Sequence, residues 1–184
     1  MSTTGDVTPQ SQDPLVGDSY LERDRSVDLV DYTVGGLLAE RATTHADIVA
    51  LIGVSHDGGH EVRLTYDELY DESLKVATAL RQLAAEGDFV ALWAPNVGEW
   101  PLIQYGAALA GVVLVALNPV LTQNELEYAL EHSGATVLIH ADRSRGYDMA
   151  EVVALVAASL PDLRVVSLSE RASWRSDSTS CGTL

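Results

Sequence analysis

His56 and His60 stand four residues apart around Asp57, a spacing at which two imidazoles and a carboxylate can share a metal ion when one helix face presents them. Here they flank Gly58 and Gly59, so the segment reads as a tight turn with both histidines solvated. His132 falls near the end of an expected helix, where a cation complements the dipole, and His140 closes an expected strand. Trp93, Trp100 and Tyr105 could line an apolar pocket near strand ends, but core packing is the favoured reading of all three. Asp142 and Asp148 are two acids close in sequence, and general acid–base work needs them close in space, which sequence proximity does not supply. Ser178 to Thr183 has the Ser/Thr/Gly composition of a phosphate loop without its glycine and lysine pattern, and is read as coincidence. No residue is therefore assigned a catalytic, cofactor-binding or metal-ligating role.

Three phosphate and nucleophile signatures are missing as well. The sequence contains no G-x-G-x-x-G, no G-x-x-x-x-G-K-[ST] and no G-x-S-x-G. A dinucleotide fold, a P-loop and a nucleophile elbow each require one of these, so none of the three is expected.

The elements that hold these residues follow from apolar periodicity. Leu37, Leu38, Arg41 and Ala42 lie at helical spacing between Tyr32 and His45, with Gly35 and Gly36 weakening the start. Ile48–Val54 and Glu61–Thr65 are β-prone runs joined by Asp57-Gly58-Gly59, which predicts a hairpin. Thr65 with Glu68 has the form of a capping box opening a helix whose stripe is Tyr66, Leu69, Tyr70, Leu74, Ala77 and Leu80.

From Gly87 onward the order becomes strand, helix, strand. Phe89–Trp93 is a short continuous apolar run, expected to be buried on both faces. Asn96 is the expected cap of a helix containing Glu99 and running to Ala110, with Pro101 tolerated in its first turn and Gly111 ending it. Val112–Leu117 is the next buried strand. Thr122 and Glu125 form a second capping box for a helix ending at Gly134, followed by a strand over Thr136–His140. A helix over Tyr147–Leu160 stops before Pro161, and Val165–Leu168 is the next strand. Alternation of this kind predicts an α/β fold, a doubly wound and mostly parallel sheet with helices on both faces, plus the β-hairpin.

Composition narrows the class further. The chain has 184 residues, 47% of them hydrophobic and 21% charged, which suits one folded domain or a large part of one. A formal charge of -16 argues against nucleic acid and anionic membrane as partners. Tyr105–Leu117 is the most apolar run and is too short to span a bilayer. Cys181 is the single cysteine, which excludes an internal disulfide and a cysteine-based zinc site within one chain. With no secretory signal in its first residues, the chain is expected in the cytoplasm. Residues 1–25 are expected to be a disordered leader, 26–168 a folded domain and 169–184 an irregular tail.

Several segments resemble the adenylate-forming superfamily, the AMP-forming acyl-CoA synthetases. Leu64-Thr65-Tyr66-Asp67-Glu68-Leu69 resembles the family's L-T-Y-x-E-L segment, and Gly87-Asp88-Phe89-Val90-Ala91-Leu92 its G-D-x-V-A-L strand entry. Pro95-Asn96 with Glu99-Trp100 is similar to P-N-x-x-E-W. Ala110-Gly111 followed by Asn118-Pro119 and Leu121-Thr122 is similar to A-G-x-x-x-x-x-N-P-x-L-T of fatty-acyl and related CoA ligases, with Glu125-Leu126 and Ser133-Gly134-Ala135 completing the pattern. All occur in the family's order between Tyr32 and Leu168.

The resemblance implies an incomplete N-terminal subdomain of the adenylate-forming fold. It implies a family reaction in which ATP activates a carboxylic acid as acyl-adenylate before thioesterification with coenzyme A, using Mg. The family's phosphate loop, adenine and ribose sites and catalytic lysine have no counterpart in these residues, so no ATP, Mg or coenzyme A is assigned to the chain. The expected function is a truncated fatty-acid or carboxylic-acid CoA ligase, inactive alone. The alternative is a non-catalytic interaction module or one half of a split ligase, with the remainder of the ligase or a full-length relative as partner.

Overall fold

The computed structural model describes Ser26 and residues 29–170. The expected leader and most of the expected tail, including Cys181 and Ser178 to Thr183, lie outside the described residues. The chain divides into units spanning Met1–Asp31 and Tyr32–Leu184, and the elements below all belong to the second.

Helix α1 spans Val34–Thr44, and its Thr33 cap accepts the Gly36 N–H at 3.0 Å. The glycines that weaken its start have a packing reason. A Cβ on Gly35 would stand 2.9 Å from Leu109 Cδ2, so glycine lets this turn approach the helix that carries Leu109. Strands β1 (Val49–Val54) and β2 (Glu61–Thr65) form the expected antiparallel hairpin, with Val54 opposite Glu61 and Ile52 opposite Arg63. Gly58 supplies the positive φ its turn needs, at 70°.

Helix α2 (Tyr66–Leu83) opens with the expected capping box: the Thr65 N–H donates to Glu68 at 2.9 Å and the Glu68 N–H to Thr65 Oγ1 at 3.3 Å. Its buried stripe departs from the expectation at one turn. Leu69, Ser73, Val76, Ala77 and Leu80 are buried, whereas Leu74 is exposed. Ser73 is accommodated because its hydroxyl donates back to the Leu69 carbonyl at 2.6 Å, leaving no polar atom unpartnered.

Four parallel strands make the main sheet: β3 (Phe89–Trp93), β4 (Val113–Leu117), β5 (Val137–His140) and β8 (Arg164–Ser167), in the order β4-β3-β5-β8. Between β5 and β8 lies a two-residue hairpin, β6 (Arg143–Ser144) with β7 (Tyr147–Asp148). Helices α3 (Glu99–Ala110), α4 (Gln123–Ser133) and α5 (Met149–Ser159) complete the crossovers. From β3 the chain steps outward to β4 and then returns across β3 to β5. With right-handed crossovers these steps place α3 and α4 on opposite faces. Accordingly α1, α2 and α3 pack together, and α4 packs with α5.

The central strands carry the core. Val90, Ala91, Leu92, Trp93, Val137, Leu138 and Ile139 are all fully buried. Strand β4, expected to be a buried strand over Val112–Leu117, is instead an outer strand among the described residues, and Val113 is exposed. Helix α3 is capped by Gly98 rather than Asn96. The reason is steric: a Cβ at Gly98 would meet Val62 Cγ2 at 2.7 Å, and the Gly98 N–H reaches the Val54 carbonyl at 2.7 Å. Helix α5 begins at Met149, later than expected, because Asp148 caps it by accepting the Glu151 N–H at 3.1 Å while Tyr147 is held in β7.

Candidate functional site

In an open parallel sheet, ligands collect beyond the carboxyl ends of the strands where the winding direction reverses. Here that point lies between β3 and β5, whose last residues are Trp93 and His140. Trp93 is fully buried, its indole N–H donating to the Asn118 carbonyl at 2.9 Å, and Tyr147 meets it edge-on at 6.2 Å between centroids. The Tyr147 hydroxyl donates to the Leu121 carbonyl at 3.3 Å. Trp93 is thus a core residue that ties the segment after β4 to the β6–β7 hairpin. Trp100 and Tyr105 are half-buried and pack against the same core.

A polar cluster sits beyond β5 and β8. Asp142 accepts the Ser167 hydroxyl at 2.6 Å and also the Ser169 hydroxyl, and stands 3.9 Å from His140 Nδ1. Partial burial acts to raise the Asp142 pKa, but the two hydroxyls and the neighbouring His140 and His56 outweigh it and hold the carboxyl below the usual aspartate range. His140 is buried, and its Nδ1 donates to the Ala141 carbonyl at 3.0 Å, which leaves Nε2 as the acceptor.

The β1–β2 turn brings His56 to this cluster. Its backbone N–H donates to Glu99 Oε2 at 3.0 Å, its Nδ1 is 3.2 Å from Glu99 Oε1, and its Nε2 is 3.5 Å from Ser169 Oγ. Glu99, in the first turn of α3, is 3% exposed. The expectation of two solvated turn histidines therefore holds for His60, which is exposed 4.0 Å from Asp57, and fails for His56. Asp57 is engaged within the turn. The Ser55 hydroxyl and the Gly59 N–H donate to it and lower its pKa.

The other candidates stay apart. His132 lies in the last turn of α4, stacked on Tyr128 at 5.4 Å. Asp148 caps α5 and pairs with Arg143 at 3.1 Å, so Asp142 and Asp148 have separate partners. Glu99, Ser167 and Ser169 are cluster members that sequence reasoning did not single out as site residues. Glu99 entered only as part of a motif. The available signal was position, since Ser167 and Asp142 fall at or just beyond strand ends.

The fold and this position define a class, the open parallel α/β domains whose crevice lies at the strand ends. The family described as AMP-binding enzyme matches residues 38–181, and the chain belongs to that family. It is 32% identical over 167 residues to the mouse mitochondrial medium-chain acyl-CoA ligase ACSF2 (Mus musculus), covering 83% of this chain and 26% of the relative. The Danio rerio ACSF2 ligase is 37% identical over 120 residues, 64% of this chain and 19% of the relative.

Among solved structures, a Mycobacterium tuberculosis fatty acyl CoA synthetase superposes with a TM-score of 0.67 at 30% identity, over 78% of this chain and 28% of that one. The N-terminal domain of FACL13 from the same organism gives 0.67 at 29% identity, over 83% and 40%. The chain spans about a quarter of the length of the curated relatives it matches. The expected N-terminal portion of an AMP-forming ligase and its α/β architecture are both present.

Among the described residues no group of three or more His, Cys, Asp or Glu could hold a metal ion. The cluster at the strand ends presents the carboxylates of Glu99 and Asp142, which oppose a polyphosphate there. Among the described residues no helix is long and apolar enough to cross a membrane.

Proposed function

We propose that this chain supplies the N-terminal subdomain of an AMP-forming acyl-CoA ligase, residues 26–168, and does not form an acyl-adenylate without further polypeptide. The observation that carries this reading is the family match over 38–181, combined with coverage of 26% of the mouse ligase and strand ends lined by carboxylates. In this reading the chain is one part of a split ligase, and the partner is the remainder of such an enzyme or a full-length relative. Among the described residues β4 and β8 are the outer strands with no further neighbour, which supports a partner that extends the sheet.

The relatives named as medium-chain acyl-CoA ligases and fatty acyl CoA synthetase point to aliphatic carboxylic acids as the substrate class of the assembled enzyme. A reducing compartment, the cytoplasm, is the proposed location, on the single cysteine of the sequence. The second reading, a non-catalytic module that docks on a full-length ligase, rests on the same open edges.

Pyrophosphate exchange tests the proposal. The purified chain is incubated with ATP, Mg and a panel of fatty and aromatic acids, alone and with a ligase fragment that lacks this region. No exchange alone and exchange on mixing is the expected result. Exchange by the chain alone overturns the proposal, and silence in the mixture together with copurification with an intact ligase favours the docking module.

A further inference from the structure

Ser169, His56 and Glu99 stand in the order of a nucleophile, its base and the acid that orients the base. Ser169 Oγ is 3.5 Å from His56 Nε2, His56 Nδ1 is 3.2 Å from Glu99 Oε1, and Glu99 is 3% exposed. The second contact between His56 and Glu99, through the backbone N–H at 3.0 Å, anchors the acid to the main chain of the residue whose ring it meets. Hydrogen bonds of such arrangements are often long before a substrate is bound, and the arrangement is recognised by geometry and role rather than by sequence order. A recess of about 440 Å³ opens beside Ser169, lined by alanines and valines of α5 and β8, Val153, Ala157 and Val165 among them, and also by His140, Asp142 and Ser167.

We propose that Ser169 is a nucleophile toward neutral esters of apolar carboxylic acids, with His56 as general base and Glu99 as the residue that positions it. The acyl chain lies along the alanine and valine wall. The carboxylates of Glu99 and Asp142 select against anionic leaving groups, so the substrate is an uncharged ester rather than a polyphosphate-bearing thioester. This activity requires neither ATP nor a second polypeptide and is independent of the ligase reading.

The chemistry needs no oxidant or reductant. The Ser169 hydroxyl, which donates to Asp142 in this structure, turns toward His56. Its oxygen adds to the ester carbonyl as its proton passes to His56 Nε2, with Nδ1–H donating to Glu99. The adduct expels the alcohol, which takes the proton from Nε2 and leaves an acyl ester on Ser169. Water adds to that ester, His56 again carries the proton, and carboxylic acid and free Ser169 are released.

The test uses the 184-residue chain with 4-nitrophenyl butyrate and, separately, a fluorophosphonate probe. The expected result is a phosphonyl adduct mapped to Ser169, with hydrolysis that falls by about a hundredfold in both Ser169→Ala and His56→Gln. Circular dichroism melts establish that each variant is folded, and Ser169→Ala, at an exposed site, keeps the test valid if His56→Gln does not fold. The proposal is overturned if folded parent chain gives no adduct on Ser169, or if hydrolysis survives Ser169→Ala. Loss of hydrolysis in Asp142→Asn with retention in His56→Gln also overturns it, by making Asp142 the base.

Discussion

Glu99 meets His56 twice, through the backbone N–H at 3.0 Å and through Nδ1 at 3.2 Å, and so ties the β1–β2 turn to the first turn of α3. A buried carboxylate is costly unless its oxygens are satisfied, and here both oxygens have His56 as partner. The turn thereby becomes part of the sheet's carboxyl end rather than a free loop.

Glu99→Ala leaves two donors of His56 without this acceptor and is expected to cost about 1–3 kcal/mol of folding stability. Glu99→Gln keeps one acceptor oxygen and is expected to cost less. Urea unfolding followed by tryptophan fluorescence separates the two, and equal midpoints for Glu99→Ala and the parent chain would sink the account.

Asp142 has a folded pKa below its unfolded one, so it contributes stability in full above the ordinary aspartate range and loses it as pH falls through the folded value. Stability of the parent chain should therefore decline in acid more steeply than that of Asp142→Asn. Urea midpoints measured in steps from neutral pH down to about pH 3 report it. Parallel pH curves for the two proteins would show that the hydroxyls of Ser167 and Ser169 do not favour the charged form.

Gly106 lies where α3 crosses α2, and a Cβ there would stand 2.5 Å from Val76 Cγ1 and 3.2 Å from the Ser73 carbonyl. Gly106→Ala is expected to destabilise by about 1–3 kcal/mol through overpacking. Val76→Ala in the same chain should recover part of the loss, giving a non-additive double-mutant cycle. Strict additivity would place the strain elsewhere.

Thr65→Ala removes one side of the capping box of α2 and is expected to cost about 1 kcal/mol, read as a lower thermal midpoint. No change in midpoint would mean that the remaining Glu68 contact to the Thr65 N–H suffices.

Much of the architecture was legible because local chemistry writes it. Thr65 with Glu68 announces the start of α2, Gly111 and Gly134 end α3 and α4 at left-handed φ of 76° and 69°, and the apolar run Phe89–Trp93 is a strand buried at every residue but Phe89. The misreadings have different causes. Residue 98 must be glycine because a distant residue, Val62, leaves no room for a Cβ there, whereas Ser73 joins the α2 stripe through a local bond to the Leu69 carbonyl of its own helix.

Strand β4 reads as buried, but its place at the sheet's outside depends on strand order, which no local pattern encodes. The polar cluster was illegible for the same reason. Its members come from the β1–β2 turn, α3, β5 and β8, and Ser169 reaches His56 across 113 residues. Motif resemblance found the family without finding this site.

The order β4-β3-β5-β8 also sets a timetable for solvent. Amides of β3 and β5 are flanked by strands on both sides and open only when the whole unit opens, so their protons should exchange with deuterium last. Among the described residues alternate amides of β4 and β8 have no strand beside them on the outer side, and these should exchange within the dead time of mixing. A polypeptide that occupies either outer edge would convert that strand from fast to slow exchange, and the strand so protected would identify which side of the sheet it had joined.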